Sequence, residues 1–179
     1  MKKKIVAFGA SSSKNSINKE FSFYAADQID NAEIKLIDLN DFEMPIFSVD
    51  IEKEHGIPKL AYKFKINLKE ADGIIISFAE HNGSYTSAFK NIFDWISRIE
   101  KIVWYDKPMF LLSTSDGSRG GLSVLEIAHN RISRGNPNII PRFSLPNFYE
   151  NFNTKTGITD SSLKKEFDKS IKIFRKNIK

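Results

Sequence analysis

The sequence has no cysteine among its 179 residues. This absence excludes a disulfide framework, a thiolate nucleophile, cysteine-ligated zinc and an iron–sulfur cluster. Histidine is also scarce, with three residues, and His55 and His129 have no carboxylate at the spacing of metal ligands. We therefore expect no metal site.

Long apolar runs are missing as well. The run 5–8 is interrupted at Gly9, which is typical of a strand and not of an export signal. No run approaches the roughly 20 residues that a bilayer requires, so we expect a cytoplasmic protein without a membrane partner. Charged residues make up 27% and hydrophobic residues 41%, which indicates one globular domain over residues 1–179.

Three common nucleotide and hydrolase motifs are absent too. The sequence has no GxxxxGK[ST] phosphate loop, no GxGxxG dinucleotide fingerprint and no GxSxG nucleophile elbow. Nucleoside-triphosphate chemistry, a dinucleotide-binding Rossmann domain and serine hydrolysis are therefore not expected.

Alternating strands and helices are what the sequence does contain. Short continuous apolar runs are typical of strands buried on both faces, and each is followed by a polar loop and then by helical periodicity. The predicted strands are 5–8, 33–39, 73–78, 109–112 and 138–145, and a helix is predicted over 59–68 and another near the carboxyl terminus. This order predicts an α/β fold in which five parallel strands lie between two layers of helices.

Ligands bind beyond the carboxyl ends of the strands in such a sheet, so the polar loops after three of the strands are expected to form one crevice. The first loop offers the hydroxyls of Ser11, Ser13 and Ser16 just before a helix amino terminus. Because that terminus favours an anion, the loop indicates a site for a monophosphate. The alternative is that Ser13 or Ser16 merely caps the helix.

The second loop carries the most specific pattern. Residues 80–85, Glu-His-Asn-Gly-Ser-Tyr, and residues 89–98, which include Lys90-Asn91 and Asp94-Trp95, resemble the NAD(P)H-dependent FMN reductases. That family includes quinone-, chromate- and azo-reducing flavoproteins. Residues 9–18 and 115–121 resemble its first and third loops.

The resemblance implies a flavodoxin-like three-layer sandwich that binds FMN, takes electrons from NAD(P)H and assembles as a homodimer or homotetramer. It places the phosphate at the first loop, one side of the flavin ring at the second loop and the far side of the ring at the third. The cofactor-binding residues predicted in this way are Ser11, Ser13, Ser16, Ile17, Asn18, Glu80, His81, Asn82, Gly83, Ser84, Ser115 and Gly117.

Four positions depart from the family pattern. Ser13 replaces an arginine of the phosphate loop, and Lys14 is the adjacent cation. Ala79, His81 and Thr86 replace a proline, a tyrosine and a second proline.

The predicted function is therefore an enzyme in which NAD(P)H reduces bound FMN, which then reduces a quinone, a free flavin or a similar small acceptor. No side chain is predicted to be catalytic, because FMN carries the hydride. One alternative is a non-enzymatic, flavodoxin-type electron carrier, and another keeps the fold without the flavin. The sequence pI of about 9.3 favours attraction of NADPH over docking to basic protein partners.

Two surface features stay open at this stage. Trp95 lies off the apolar stripe of its helix, so it either contributes to a subunit contact or is buried within the monomer. The final helix is rich in lysine, but Glu166 and Asp168 interrupt the basic face. We interpret it as a solvated face and expect no nucleic-acid partner.

Overall fold

The computed structural model describes residues 2–178, which form seven α-helices and nine strands. The strands are β1 (Lys3–Ala10), β2 (Ala32–Ile37), β3 (Gly73–Phe78), β4 (Glu80–His81), β5 (Ser84–Tyr85), β6 (Met109–Thr114), β7 (Arg142–Leu145), β8 (Phe152–Asn153) and β9 (Gly157–Ile158). The helices are α1 (Ile17–Asp27), α2 (Val49–His55), α3 (Lys59–Glu70), α4 (Ser87–Ser97), α5 (Leu122–Ile132), α6 (Phe148–Asn151) and α7 (Ser161–Asn177).

Five parallel strands form the central sheet in the order β2-β1-β3-β6-β7, which is the flavodoxin-like order. Every residue of β3 and β6 is buried, as their continuous apolar runs predict. Helices α3, α4 and α5 cover one face of the sheet, and α1 and α7 cover the other. The predicted α/β three-layer sandwich is confirmed.

The fifth strand is shorter than the sequence indicates. It covers Arg142–Leu145 instead of 138–145. The preceding residues form an irregular segment in which the Asn138 side chain donates to the Asp106 carbonyl at 2.7 Å, and Asn136 donates to the Lys107 carbonyl at 3.2 Å. These side-chain bonds compete with the strand ladder and delay its start.

Trp95 is completely buried within the monomer. Its indole Nε1 donates to the Pro45 carbonyl oxygen at 2.7 Å, and its ring meets the Phe47 ring edge-on with 5.0 Å between centroids. The tryptophan therefore holds the segment after β2 against α4. Of the two roles left open by the sequence, a subunit contact or burial within the monomer, the structure shows burial within the monomer. Among residues 2–178, no helix is both long enough and apolar enough to cross a membrane.

Lys65 of α3 is a buried cation on the same face of the sheet. Its Nζ donates to the carbonyl oxygens of Val103 at 2.8 Å and Ile102 at 3.3 Å, and it lies 3.8 Å from the Tyr105 ring centroid. Burial lowers the pKa of the Lys65 ammonium to about 8, although the carboxylate of Glu100 opposes the shift.

Because the pKa of Lys65 is lowered in the folded protein, we expect the free energy of unfolding to increase at alkaline pH. Between about pH 8 and the ordinary lysine pKa of 10.5, the unfolded chain binds more protons at this site than the folded chain. The free energy of unfolding therefore rises with pH across that window. Urea unfolding at pH 7.5 and pH 9.5 should show that wild type gains stability relative to Lys65→Met. An equal pH response in both proteins would contradict the buried-cation assignment.

Candidate functional site

A crevice lies at the carboxyl ends of β1, β3 and β6, at the point where the strand order reverses. Its volume is about 270 Å³. The residues that line it are Ser11, Ser13, Asn15, Ser16, Ile17, Asn18, Ala79, Glu80, His81, Thr114, Ser115, Asp116 and Tyr149. The three polar loops thus converge as the sequence predicts.

The amino terminus of α1 forms one wall of the crevice. Ser16 is the N-cap, and its Oγ accepts from the Lys19 N–H at 3.2 Å, so the capping interpretation holds for Ser16. Among the described residues, no acceptor pairs with the backbone N–H of Ile17 or Asn18. Two amides and the positive end of the helix dipole are therefore available to an anion.

A glycine lets α1 approach the sheet this closely. A Cβ built on Gly9 would lie 2.4 Å from the Lys19 backbone nitrogen and 2.8 Å from the Asn18 carbonyl carbon. Both are backbone atoms and have no flexible end that could give way. Any larger residue at position 9 would therefore push the amino terminus of α1 away from the end of β1.

The Asn18 side chain points into the protein interior. Its Oδ1 accepts from the Ser77 hydroxyl at 2.7 Å and from the Thr114 N–H at 3.0 Å, while its Nδ2 donates to the Thr114 carbonyl at 3.0 Å. These bonds join α1 to the carboxyl ends of β3 and β6. For a bound anion, Asn18 therefore offers its backbone N–H and not its amide side chain.

The second loop is a two-residue hairpin between β4 and β5. Asn82 and Gly83 have φ angles of 51° and 76°, which is the left-handed pair that an Asn-Gly turn adopts. His81, Asn82, Gly83 and Ser84 are exposed. Directly after the hairpin, Thr86 caps α4 and donates its hydroxyl to the Ala10 carbonyl at 2.9 Å, which ties the hairpin to the end of β1.

Glu80 supports the site through α5. The N-cap of α5 is Gly121, which has no side chain to satisfy the first amides of that helix. One carboxylate oxygen of Glu80 accepts from the Val124 N–H at 2.9 Å and takes over that role. The carboxylate therefore fixes the second loop against α5 at the edge of the crevice.

The third loop folds tightly after β6. The Ser113 hydroxyl donates to the Gly120 carbonyl at 2.7 Å, and the Gly117 N–H donates to Ser115 Oγ at 3.3 Å. Gly120 has a φ of 57°, and a Cβ there would lie 2.5 Å from Ser144 Oγ. Only glycine can adopt this φ angle at position 120 without a clash, and it lets the third loop pack directly against the end of β7.

The structure brings most of the predicted residues together. Eight of them line the crevice, and four others lie on neighbouring turns that face solvent. The lining residues are Ser11, Ser13, Ser16, Ile17, Asn18, Glu80, His81 and Ser115, and the four others are Asn82, Gly83, Ser84 and Gly117.

Five lining residues were missed by the sequence reasoning, namely Asn15, Ala79, Thr114, Asp116 and Tyr149. The first four flank the predicted positions in the same loops, and that adjacency was a signal for them. Tyr149 follows β7, a strand after which no ligand loop was predicted, and no motif of the sequence points to it.

Charge in the crevice is sparse. Glu80 and Asp116 are the only carboxylates in its lining, and within residues 2–178 no lysine or arginine lines it. Lys14 is exposed outside the lining, and its carbonyl accepts from Lys19 Nζ at 3.1 Å. The described part of the chain also has no cluster of three or more potential metal ligands. The donors for an anion are therefore amides and hydroxyls.

Comparison with known proteins identifies the family. A family model described as NADPH-dependent FMN reductase matches residues 3–149. The chain belongs to this family. Its members are oxidoreductase enzymes with FMN as cofactor and NAD(P)H as electron donor. The donor set of the crevice suits such a cofactor, because amides at a helix amino terminus together with hydroxyls bind phosphate without a cation.

Individual relatives agree with the family match. An NADPH:quinone oxidoreductase of Arabidopsis thaliana is 33% identical over 97 residues, covering 54% of this chain and 48% of the relative, so the match spans about half the length of that protein. An NADPH azoreductase of Bacillus sp. is 28% identical, over 78% of this chain and 74% of the relative.

A solved structure shares the fold over almost the whole chain. FerB from Paracoccus denitrificans, a flavoenzyme NAD(P)H:(acceptor) oxidoreductase, superposes with a TM-score of 0.76 at 21% identity. The alignment covers 98% of this chain and 97% of FerB. At this identity the likeness establishes the fold alone.

We expect Asn18→Ala to destabilise this FMN reductase family member strongly. The substitution leaves the Ser77 hydroxyl and the Thr114 N–H and carbonyl buried without partners, so the free energy of unfolding should fall by about 3 kcal/mol. Urea denaturation measures this loss. Asn15→Ala is the control, because Asn15 is exposed in the same loop. Equal stability of the two variants would show that the Asn18 bonds do not hold the site together.

Proposed function

We propose that the protein is an FMN-dependent oxidoreductase in which NAD(P)H reduces bound FMN, and the reduced cofactor then passes its electrons to a quinone, a free flavin or a similar small acceptor. One observation carries the proposal: a cradle of amides and hydroxyls at the α1 amino terminus, which no lysine or arginine of residues 2–178 lines, opens into the same crevice as the second and third loops. Such a cradle suits a phosphate attached to a larger planar group.

The phosphate end of FMN is assigned to the first loop. The backbone N–H groups of Ile17 and Asn18 and the hydroxyls of Ser11, Ser13 and Ser16 are its proposed donors. The Ser16 Oγ already accepts from Lys19, so its hydroxyl hydrogen is free to turn toward a phosphate oxygen. Binding by neutral donors compensates for the arginine that the first loop lacks.

The ring end of FMN is assigned to the other two loops. Glu80, His81 and the turn Asn82-Gly83-Ser84 are proposed on one side, and Ser115 with Gly117 on the far side. The second loop is attached to two helices, because Glu80 accepts from the Val124 N–H of α5 and Thr86 caps α4, and the third loop is closed by the bond from the Ser113 hydroxyl to the Gly120 carbonyl. These attachments support the proposed role. A planar ring requires walls that keep their spacing when substrates exchange.

The cofactor supplies the hydride chemistry when it is bound, and the protein supplies position and electrostatics. Among the described lining residues the titratable groups are Glu80, His81, Asp116 and Tyr149. The Glu80 carboxylate is engaged by the Val124 N–H, and the other three residues are exposed. No side chain is therefore assigned as a general acid or base.

The named activities of relatives support the acceptor class, since these relatives include quinone oxidoreductases and an azoreductase. The proposal also keeps the assembly and location expected from the sequence. These are a homodimer or homotetramer in the cytoplasm, acting on small molecules, with neither a nucleic-acid nor a membrane partner.

The direct test is the cofactor content and turnover of the purified protein. We expect a yellow protein that releases close to one FMN per chain on heating and oxidises NAD(P)H when a quinone is present. Because donor and acceptor use one crevice in turn, initial-rate plots should give parallel lines when both substrates are varied. A colourless protein whose apo form ignores added FMN would refute the proposal, and intersecting lines would refute the shared site.

The phosphate cradle can be tested by removing one amide without breaking the helix. Proline is well tolerated at the first position of a helix, and Ser16, with ψ of 119°, already has the extended backbone that precedes proline. Ile17→Pro should therefore keep α1 and lose one N–H donor. Ile17→Ala is the matched control, because it also removes the side chain but keeps the amide.

We expect Ile17→Pro to weaken FMN binding about tenfold or more relative to Ile17→Ala, as a charge-assisted hydrogen bond is worth roughly 1.5–3 kcal/mol. Riboflavin, which lacks the phosphate, should bind both variants equally. Titration of the apoproteins measures the four dissociation constants. The same FMN affinity in both variants would place the phosphate elsewhere.

A further inference from the structure

Tyr149 is an exposed aromatic residue in the wall of the crevice. The residue is 75% exposed, although it lines the same space as Ser115 and Asp116. Among the described lining residues it is the only phenol ring. Packing a planar ligand against this exposed ring would remove apolar surface from water, which lowers the free energy.

The backbone that carries Tyr149 is fixed to the third loop. The Asn147 N–H donates to the Gly117 carbonyl at 3.0 Å, and the Phe148 N–H donates to the Ser115 carbonyl at 2.9 Å. Asn147 itself has a φ of 46°, in the left-handed region that a residue other than glycine adopts at a cost. These bonds and this turn place Tyr149 beside the third loop, at the end of the crevice assigned to the flavin ring.

The orientation of the ring is also constrained. The buried ring of Phe148 meets the Tyr149 ring edge-on, with 5.6 Å between centroids and 84° between planes. Among residues 2–178, Tyr149 takes part in no other aromatic pair. One edge contact holds the phenol ring and leaves ring surface available for offset stacking.

We propose that Tyr149 is a cofactor-binding residue whose ring packs against the isoalloxazine ring of FMN at the third-loop end of the crevice. The proposal rests on the proposed function and extends it to a fourth segment of the chain, after β7. Contact is made by the ring and not by the hydroxyl. Phenylalanine at this position therefore preserves the affinity, and alanine does not.

Titration of apoprotein with FMN tests this contact in wild type, Tyr149→Ala and Tyr149→Phe. We expect Tyr149→Ala to raise the dissociation constant roughly three- to tenfold, the range that an aromatic pair provides. Tyr149→Phe should keep the wild-type dissociation constant. Tyrosine in ring contact quenches flavin fluorescence by electron donation and phenylalanine does not, so bound FMN should fluoresce more strongly in both variants than in wild type.

Tyr62→Ala is the matched control, because Tyr62 is 47% exposed on α3 and does not line the crevice. It should leave affinity and fluorescence unchanged. Unaltered FMN affinity and fluorescence in Tyr149→Ala would overturn the ring contact while the proposed function stands. Equal loss of affinity in Tyr149→Phe and Tyr149→Ala would assign the interaction to the hydroxyl and overturn it too. Failure of wild type to bind FMN would refute both proposals.

Discussion

The hydrogen bonds of the Asn18 side chain are the constraint on which the site depends. The amide pairs with both the N–H and the carbonyl of Thr114, as a neighbouring strand would, and also accepts from Ser77. Thr114 ends β6 and Ser77 lies near the end of β3, so one side chain fixes α1 to two strands. Because all these groups are buried, any displacement of α1 would leave several polar atoms without partners. This energetic cost keeps α1 in position, and with it the unpaired backbone N–H groups of Ile17 and Asn18.

Residues at the two ends of the second loop also bind distant parts of the chain, and each of them caps a helix. Glu80 caps α5 where Gly121 offers no side chain, and Thr86 caps α4 while donating to Ala10 at the end of β1. A cap ordinarily stabilises only its own helix. Here each cap also fixes the spacing between two loops. The segments around the crevice are therefore positioned by long-range bonds together with the local turns of the second and third loops.

The sequence was sufficient to predict the structure wherever a local pattern is compatible with one conformation. Continuous apolar runs predicted the buried parallel strands, and Asn82-Gly83 has the conformation that its sequence favours. The role of the Asn18 side chain was not predictable, because an asparagine at a helix start is equally suited to a ligand or to the interior. Its partners lie 59 and 96 residues away in the chain. Tyr149 was missed for a similar reason, since it reaches the crevice only through backbone bonds to the third loop.

The charges that would attract an anion to the protein are not the groups that line the crevice. The chain carries a net charge of +5, yet the only charged side chains in the described lining are two carboxylates. Glu80 is not a free negative charge, because its carboxylate meets the positive end of the α5 dipole at the Val124 N–H. Asp116 lies at the exposed rim, where water screens it. An anion is therefore drawn by the field of the whole protein and then held by neutral donors, whose strength depends on geometry more than on salt. That arrangement favours a ligand whose phosphate is anchored while the rest of the molecule remains accessible to a second reactant.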